Sequence, residues 1–149
     1  MLPSKPFKLL LVEDNPAHIM IIKSTLRGLS EIDYSLYTVT NGEAAIHFLN
    51  KRPPYEDVPL PDLILLDLNI PKISGLEVLE RIKADEQLKA IPVVVLTTSR
   101  HESDIKACYM RGANSFVSKV GEYAYFKDIM QSIYTYWLNY NQLPPRSDF

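Results

Sequence analysis

Three carboxylates, a lysine and a threonine stand in this chain where phosphoryl chemistry can be assembled. Asp67 ends the apolar run Leu63-Ile64-Leu65-Leu66, and Leu68-Asn69-Ile70-Pro71 follows it. Glu13 and Asp14 end a second such run, Leu9-Leu10-Leu11-Val12. Lys119 closes Ser115-Phe116-Val117-Ser118, and Thr97 follows Val93–Leu96. In an open α/β sheet the carboxyl ends of the strands form one ligand crevice, so these side chains are predicted to converge. Packed acids repel one another, and Mg²⁺ takes one or two carboxylates together with waters and a phosphate. Glu13, Asp14 and Asp67 therefore predict a divalent-cation site, with Asp67 also the candidate nucleophile, since carboxylates form acyl-phosphate intermediates. Lys119 would add a second positive charge and the Thr97 hydroxyl a hydrogen bond to the phosphoryl oxygens. Singly, each has a plainer role: a helix-capping acid, a solvated lysine, a hydroxyl satisfying backbone. Their joint placement carries the chemistry.

The elements that must position them follow from the hydrophobic period. Strand-length apolar runs lie at Leu9–Val12, Tyr34–Val39, Leu63–Leu66, Val93–Leu96 and Phe116–Val117. Amphipathic stretches separate them at Ala17–Leu29, Glu43–Asn50, Gly75–Lys83, Glu102–Arg111 and Tyr123–Asn141. Strand and helix alternating five times predict a parallel sheet covered by helices on both faces. Continuous rather than alternating apolar runs agree with strands buried on both sides. Asn15-Pro16, Thr40-Asn41-Gly42-Glu43 and Ser74-Gly75 supply helix starts, and Gly112 a helix end. Pro53 to Pro61 carries too many prolines for regular structure and reads as a loop.

At 149 residues with 46% hydrophobic content, the chain suits one domain with a sizeable core. A net charge of -2 without a basic stripe gives no footprint for nucleic acid. The single cysteine, Cys108, has no internal disulfide partner, which fits a cytoplasmic protein. The stretch Met1 to Pro6 shows no leader, and no membrane span is visible. The three histidines, His18, His47 and His101, have no ligand spacing, and solvated or core-edge roles are expected for them.

The segments Leu11-Val12-Glu13-Asp14, Leu65-Leu66-Asp67-Leu68-Asn69-Ile70-Pro71 with Ser74-Gly75, Val95-Leu96-Thr97-Thr98-Ser99 and Gly112-Ala113-Asn114 before Phe116-Val117-Ser118-Lys119 together resemble a response-regulator receiver domain of two-component signalling. The resemblance covers roughly residues 7 to 141, leaving 142–149 as a C-terminal extension of a single domain. It implies a flavodoxin-like, doubly wound five-stranded parallel sheet of order 2-1-3-4-5 with five helices. It also implies that a sensor histidine kinase phosphorylates Asp67, with Mg²⁺ (or Mn²⁺ or Ca²⁺ in its place) held by Glu13, Asp14, Asp67 and the backbone carbonyl of Asn69. Thr97 and Phe116 would be the switch pair. The Asp14-Asn15-Pro16-Ala17 start, the proline loop, Leu96-Thr97-Thr98-Ser99 and the aromatic C-terminus are similar to the stand-alone regulators of cyanobacterial phytochromes, the Rcp group. That likeness implies a phytochrome-type kinase as partner. Two positions depart from the family: Val120 follows Lys119 where a proline, often cis, is usual, and Phe116 replaces a frequent tyrosine.

The same residues bear on other classes of protein. An aspartate-based phosphohydrolase would place an acid two residues beyond the nucleophile, and Asn69 cannot transfer a proton. A flavin mononucleotide binder would place its phosphate loop where Glu13-Asp14 would repel it. A phosphorylation-independent interaction module of the same shape remains the alternative. The expected product is a slowly hydrolysed acyl phosphate, because Thr98 adds bulk and Asn69 and Ser99 offer no general base. On the last helix, Phe126, Ile129, Met130, Ile133 and Trp137 form the expected core stripe. Tyr125, Tyr134, Tyr136, Leu138 and Tyr140 are left off it and predict a homodimer contact, unless the Leu143-Pro144-Pro145 tail covers them.

Overall fold

Alternation of side chains along continuous apolar strands sends every second residue to the opposite face of the sheet, and both faces must then be covered. The computed structural model, which describes residues 6–29 and 32–145, shows this arrangement. Most of the Met1 to Pro6 stretch, and the tail beyond Pro145, lie outside the described residues. Five strands, β1 (Phe7–Val12), β2 (Tyr34–Val39), β3 (Leu63–Leu66), β4 (Val93–Thr97) and β5 (Ser115–Ser118), alternate with helices α1 (Pro16–Arg27), α2 (Gly42–Leu49), α3 (Gly75–Ala84), α4 (Glu102–Met110) and α5 (Tyr123–Tyr134). The strands pair in parallel in the order β2-β1-β3-β4-β5, the expected flavodoxin-like topology.

Leu10, Val12, Ile64, Leu66, Val93 and Val95 pack under α2, α3 and α4. Leu9, Leu11, Leu63, Leu65, Val94 and Leu96 pack under α1 and α5. The caps expected for α1, α2 and α3 form: the side chains of Asn15, Asn41 and Ser74 accept backbone N–H groups of the first turn. Gly112, at φ +96°, follows α4 in the left-handed region. Half-buried Lys83 donates from Nζ to the carbonyls of Lys89 and Ile91 and to Asn114 Oδ1, fixing the entry to β4. Among the described residues, no helix is long and apolar enough to cross a membrane.

The last helix differs from expectation. It does not run uniformly to Asn141: α5 ends at Tyr134, and Thr135–Tyr140 continue as a π-helical turn. Tyr134 belongs to the core, with 0% exposure, and Leu138 packs partly against it. The stripe is wider than the i, i+3, i+4 pattern suggests, and a phenol can enter it because the Tyr134 hydroxyl donates to the Ile22 carbonyl of α1 at 3.1 Å. Tyr123, Tyr125, Tyr136 and Tyr140 remain more than half exposed. Leu143, Pro144 and Pro145 do not cover them. These three residues line a cavity of about 380 Å³ with Lys8, Asp62 and Pro92, at the amino ends of β1, β3 and β4.

Burial, and then the charge of Tyr34, push the Tyr134 phenol well above its ordinary 10.0. A group whose folded pKa is raised gives its full stabilisation below the unfolded value and loses it as pH climbs toward the folded one. Wild type should therefore lose stability above pH 10.0 faster than Tyr134→Phe, by about 1.4 kcal/mol per pH unit from this one group. At neutral pH, Tyr134→Phe should cost about 0.5–1.5 kcal/mol for the lost hydrogen bond. Urea unfolding between neutral pH and about pH 12 reads both; parallel curves for the two proteins would refute the pH effect.

Candidate functional site

Strand register brings the site residues to one edge. β1 and β3 pair with Val12 opposite Leu66, so Glu13 and Asp67 follow at the same level. β4 and β5 pair with Thr97 opposite Ser118, so Lys119 follows β5 directly. Backbone bonds extend the ladder into the site: Asp67 N–H donates to Val12 O at 3.0 Å and Lys119 N–H to Thr97 O at 2.6 Å. A one-residue slip would turn each of these side chains to the other face.

Lys119 Nζ lies 2.6 Å from Glu13 Oε2 and 3.2 Å from Asp67 Oδ2. Glu13, Asp67, Lys119 and Thr97 are buried, whereas Asp14 is exposed at the mouth. Asp67 Oδ1 accepts the Asn69 N–H at 3.1 Å, and Glu13 Oε1 the Asn15 N–H at 3.2 Å. Thr97 Oγ1 faces Asn69 Nδ2 at 3.5 Å and the Ser99 N–H at 3.4 Å. Phe116, on β5 opposite Val95, is partly buried against the neighbouring core.

Electrostatics separate the two buried acids. Burial raises the Glu13 carboxyl to about 7, helped by its hydrogen bond with Asp67 and opposed by Lys119. Burial also acts upward on Asp67. There the bond with Glu13, the Lys119 charge and the Asn69 N–H outweigh it and hold the carboxyl below its ordinary value. Of the two, Glu13 is the readier to hold a proton.

The donor set suits a divalent cation. Carboxylate oxygens of Glu13, Asp14 and Asp67 all lie within 4.8 Å of one another. Against three acids the site sets one ammonium, which leaves an excess of negative charge at an open mouth with oxygen ligands. Glu13, Asp14, Asp67, Asn69, Thr97 and Lys119 come together at this edge, whereas Phe116 lies further back on β5, opposite Val95.

Sequence reasoning missed two contributors. His18, expected to be solvated or at a core edge, sits in the first turn of α1 with Nδ1 3.0 Å from Lys119 Nζ and 3.5 Å from Glu13 Oε1. Burial and the Lys119 charge lower its pKa. Its one sequence signal is its place four residues after Asp14, on the first turn leaving the site. Asp104 joins Thr98, Ser99, Arg100, His101 and Asn69 around a depression beside the mouth, where Ser99 donates its hydroxyl to the Asp104 carboxylate. The Lys119-Val120 bond is trans, since the cis peptide among the described residues is Pro53-Pro54. With no proline at 120, the trans form is the low-energy one.

This fold and this edge define a receiver domain. The chain belongs to the response regulator receiver domain family, whose model matches residues 9–131. It is 42% identical over 139 residues to response regulator Rcp1 of Synechocystis sp., covering 93% of this chain and 94% of that one. It is 39% identical over 141 residues to the probable methanogenesis regulatory protein FilR2 of Methanothrix harundinacea, covering 93% and 88%. The crystal structure of the phosphorylated cyanobacterial phytochrome response regulator RcpA superposes with a TM-score of 0.91 at 40% identity, covering 95% of this chain and 100% of that one. The Mn²⁺-bound form of Rcp1 also gives 0.91, at 42% identity and 94% and 100% coverage.

Gly75 sets how closely α3 approaches the site. A Cβ there would run into the Asp67 carbonyl oxygen and Leu68 Cα, both backbone atoms. Gly75→Ala should destabilise by about 1–3 kcal/mol, the usual cost of overpacking. Gly28→Ala is the control: its nearest contact is 3.3 Å at φ -71°, and a shift within about 0.5 kcal/mol is expected. Urea midpoints at unchanged slope measure both; a Gly75→Ala midpoint equal to wild type would contradict the close-approach account.

Proposed function

We propose that the chain is a phospho-accepting response regulator that takes a phosphoryl group onto Asp67 from a sensor histidine kinase, of phytochrome type by its likeness to Rcp1 and RcpA. The observation that carries this reading is the buried Lys119 ammonium shared by Glu13 and Asp67 beside exposed Asp14, at the carboxyl edge of a receiver fold. An Asp67 oxygen forms the O–P bond as the N–P bond of the donor phosphohistidine breaks. The imidazole keeps that electron pair and takes a proton from solvent. Glu13, Asp14, Asp67 and the Asn69 backbone carbonyl would hold Mg²⁺, with Mn²⁺ or Ca²⁺ able to stand in. Bound there, the ion supplies positive charge to the phosphoryl oxygens. Lys119 turns from Glu13 toward the transferred group, and the Thr97 hydroxyl donates to it. Thr97 is buried, so its movement frees space that Phe116 can enter, and this pair is the proposed switch. The chain works as a single receiver unit with a core of about residues 7–141 and an extension at 142–149, in the cytoplasm, and signals by protein contact. It is an acceptor rather than a true enzyme.

Acetyl phosphate or a phosphorylated kinase should label Asp67 in Mg²⁺ and not in EDTA, and Asp67→Asn should take no label. Label mapped to another residue would sink the reading. The acyl phosphate is proposed to be long-lived because Thr98 stands at the mouth and Ser99 already engages Asp104. Decay should be faster in Thr98→Ala, and equal lifetimes would remove the shielding role.

The protein is further proposed to work as a homodimer through its last helix. Support comes from Tyr125, Tyr136 and Tyr140, exposed by 55%, 52% and 74%, more aromatic surface than an isolated helix face ordinarily carries. Tyr134 and Leu138 drop out of this face because they pack inward. Sedimentation of wild type should give a dimer, and Tyr136→Glu/Tyr140→Glu a folded monomer. Identical masses would remove this helix from the interface.

A further inference from the structure

An ammonium group carries three N–H bonds, and in a buried site each needs an acceptor. The Lys119 side chain is 3% exposed, so bulk water does not serve it. Glu13 Oε2 and Asp67 Oδ2 take two of the three at 2.6 and 3.2 Å, and His18 Nδ1 lies at 3.0 Å to take the third. Because an ammonium only donates, Nδ1 must be bare and the ring proton must sit on Nε2. The 3.5 Å approach of Nδ1 to Glu13 Oε1 then carries no hydrogen bond.

His18 is itself held from two sides. Its N–H donates to Asn15 Oδ1 at 3.3 Å in the capped first turn of α1. Its ring meets Phe126 of α5 edge to face, with centroids 5.5 Å apart at 83°. Backbone and ring plane are therefore held by contacts other than the lysine.

We propose that His18 is a positioning residue for phosphoryl transfer, its Nδ1 serving as the neutral third acceptor that aims the Lys119 ammonium into the crevice. This rests on the roles given above to Asp67 and Lys119. A third carboxylate would hold the ammonium away from incoming phosphoryl oxygens and deepen the repulsion among the acids. An apolar neighbour would leave one N–H without a partner. A neutral nitrogen fixes direction without adding charge.

Three variants separate this role from packing. Asn places Oδ1 the same number of bonds from Cα as Nδ1, Phe keeps a flat ring without an acceptor, and Ala removes both. In the intact protein, His18→Phe and His18→Ala should slow Asp67 labelling by acetyl phosphate at saturating Mg²⁺ by about three- to tenfold, and His18→Asn should restore it. Groups just outside a metal's ligands can change its affinity by about 10–100-fold, so Mg²⁺ affinity is measured by calorimetry for each variant and labelling is compared only at saturation. The ¹⁵Nζ signal of Lys119 in EDTA should be sharp in wild type and His18→Asn and broadened by exchange in the other two. Full activity and a sharp signal in His18→Phe would make the contact mere packing and overturn the proposal. So would failure of His18→Asn to restore either readout, or wild-type behaviour in all three variants. Should wild type take no label at Asp67, the function reading falls, and the ammonium signal alone decides the His18 anchor.

Discussion

The Lys119 ammonium, buried between Glu13 and Asp67, is the interaction on which the rest of the structure depends. Removing such ions from water costs on the order of several kcal/mol each, and removing one partner strands the other. Here the side chains of Glu13, Lys119 and Asp67 are only 1%, 3% and 8% exposed. The cluster can exist only if three strands end at matching heights. The continuous apolar runs supply that, because a register slip of β1 or β5 would break the charge cluster along with the core. Stability and site geometry are thus set by the same pairings.

The surroundings tune how that charge is held. Asn15 serves twice, since its side chain caps α1 while its own N–H meets Glu13. On the other side, Gly75 lets the start of α3 press against the Asp67 backbone. Asp14 stays at the mouth in water, so the site has a dry floor that fixes distances and a wet rim open to small ions. The Ser118 hydroxyl, donating to Ser99 O at 3.0 Å, ties the loop after β4 to the strand that delivers Lys119.

Much of this was legible because it is local in the chain. Runs such as Leu63–Leu66 with an acid at the end state both the strand and its reactive terminus, and Asn15, Asn41 and Ser74 mark the helix starts. What escaped depends on contacts between distant segments. His18 meets Lys119 across 101 positions, and no spacing rule within α1 points to it. Tyr134 enters the core because a carbonyl 112 positions away accepts its hydroxyl. The π-helical turn at Thr135–Tyr140 leaves no mark in a hydrophobic period, and Gly42 and Gly75 read in sequence only as helix openers, although each faces the backbone of another segment, Ile73 and Asp67 respectively.

The order in which the site's parts leave the ribosome has a consequence of its own. Glu13 and Asp67 lie on β1 and β3, neighbours in the sheet, whereas their shared cation sits beyond β5, some fifty residues later in the chain. A nascent chain that has emerged through β3 can pair those strands, yet it faces two carboxylates with no ammonium between them. Such a half-sheet must keep its acids hydrated, protonated or shielded by a borrowed ion until the last strand arrives. Folding during synthesis is therefore held open at its carboxyl edge, and the step that closes it is the arrival of a single charge.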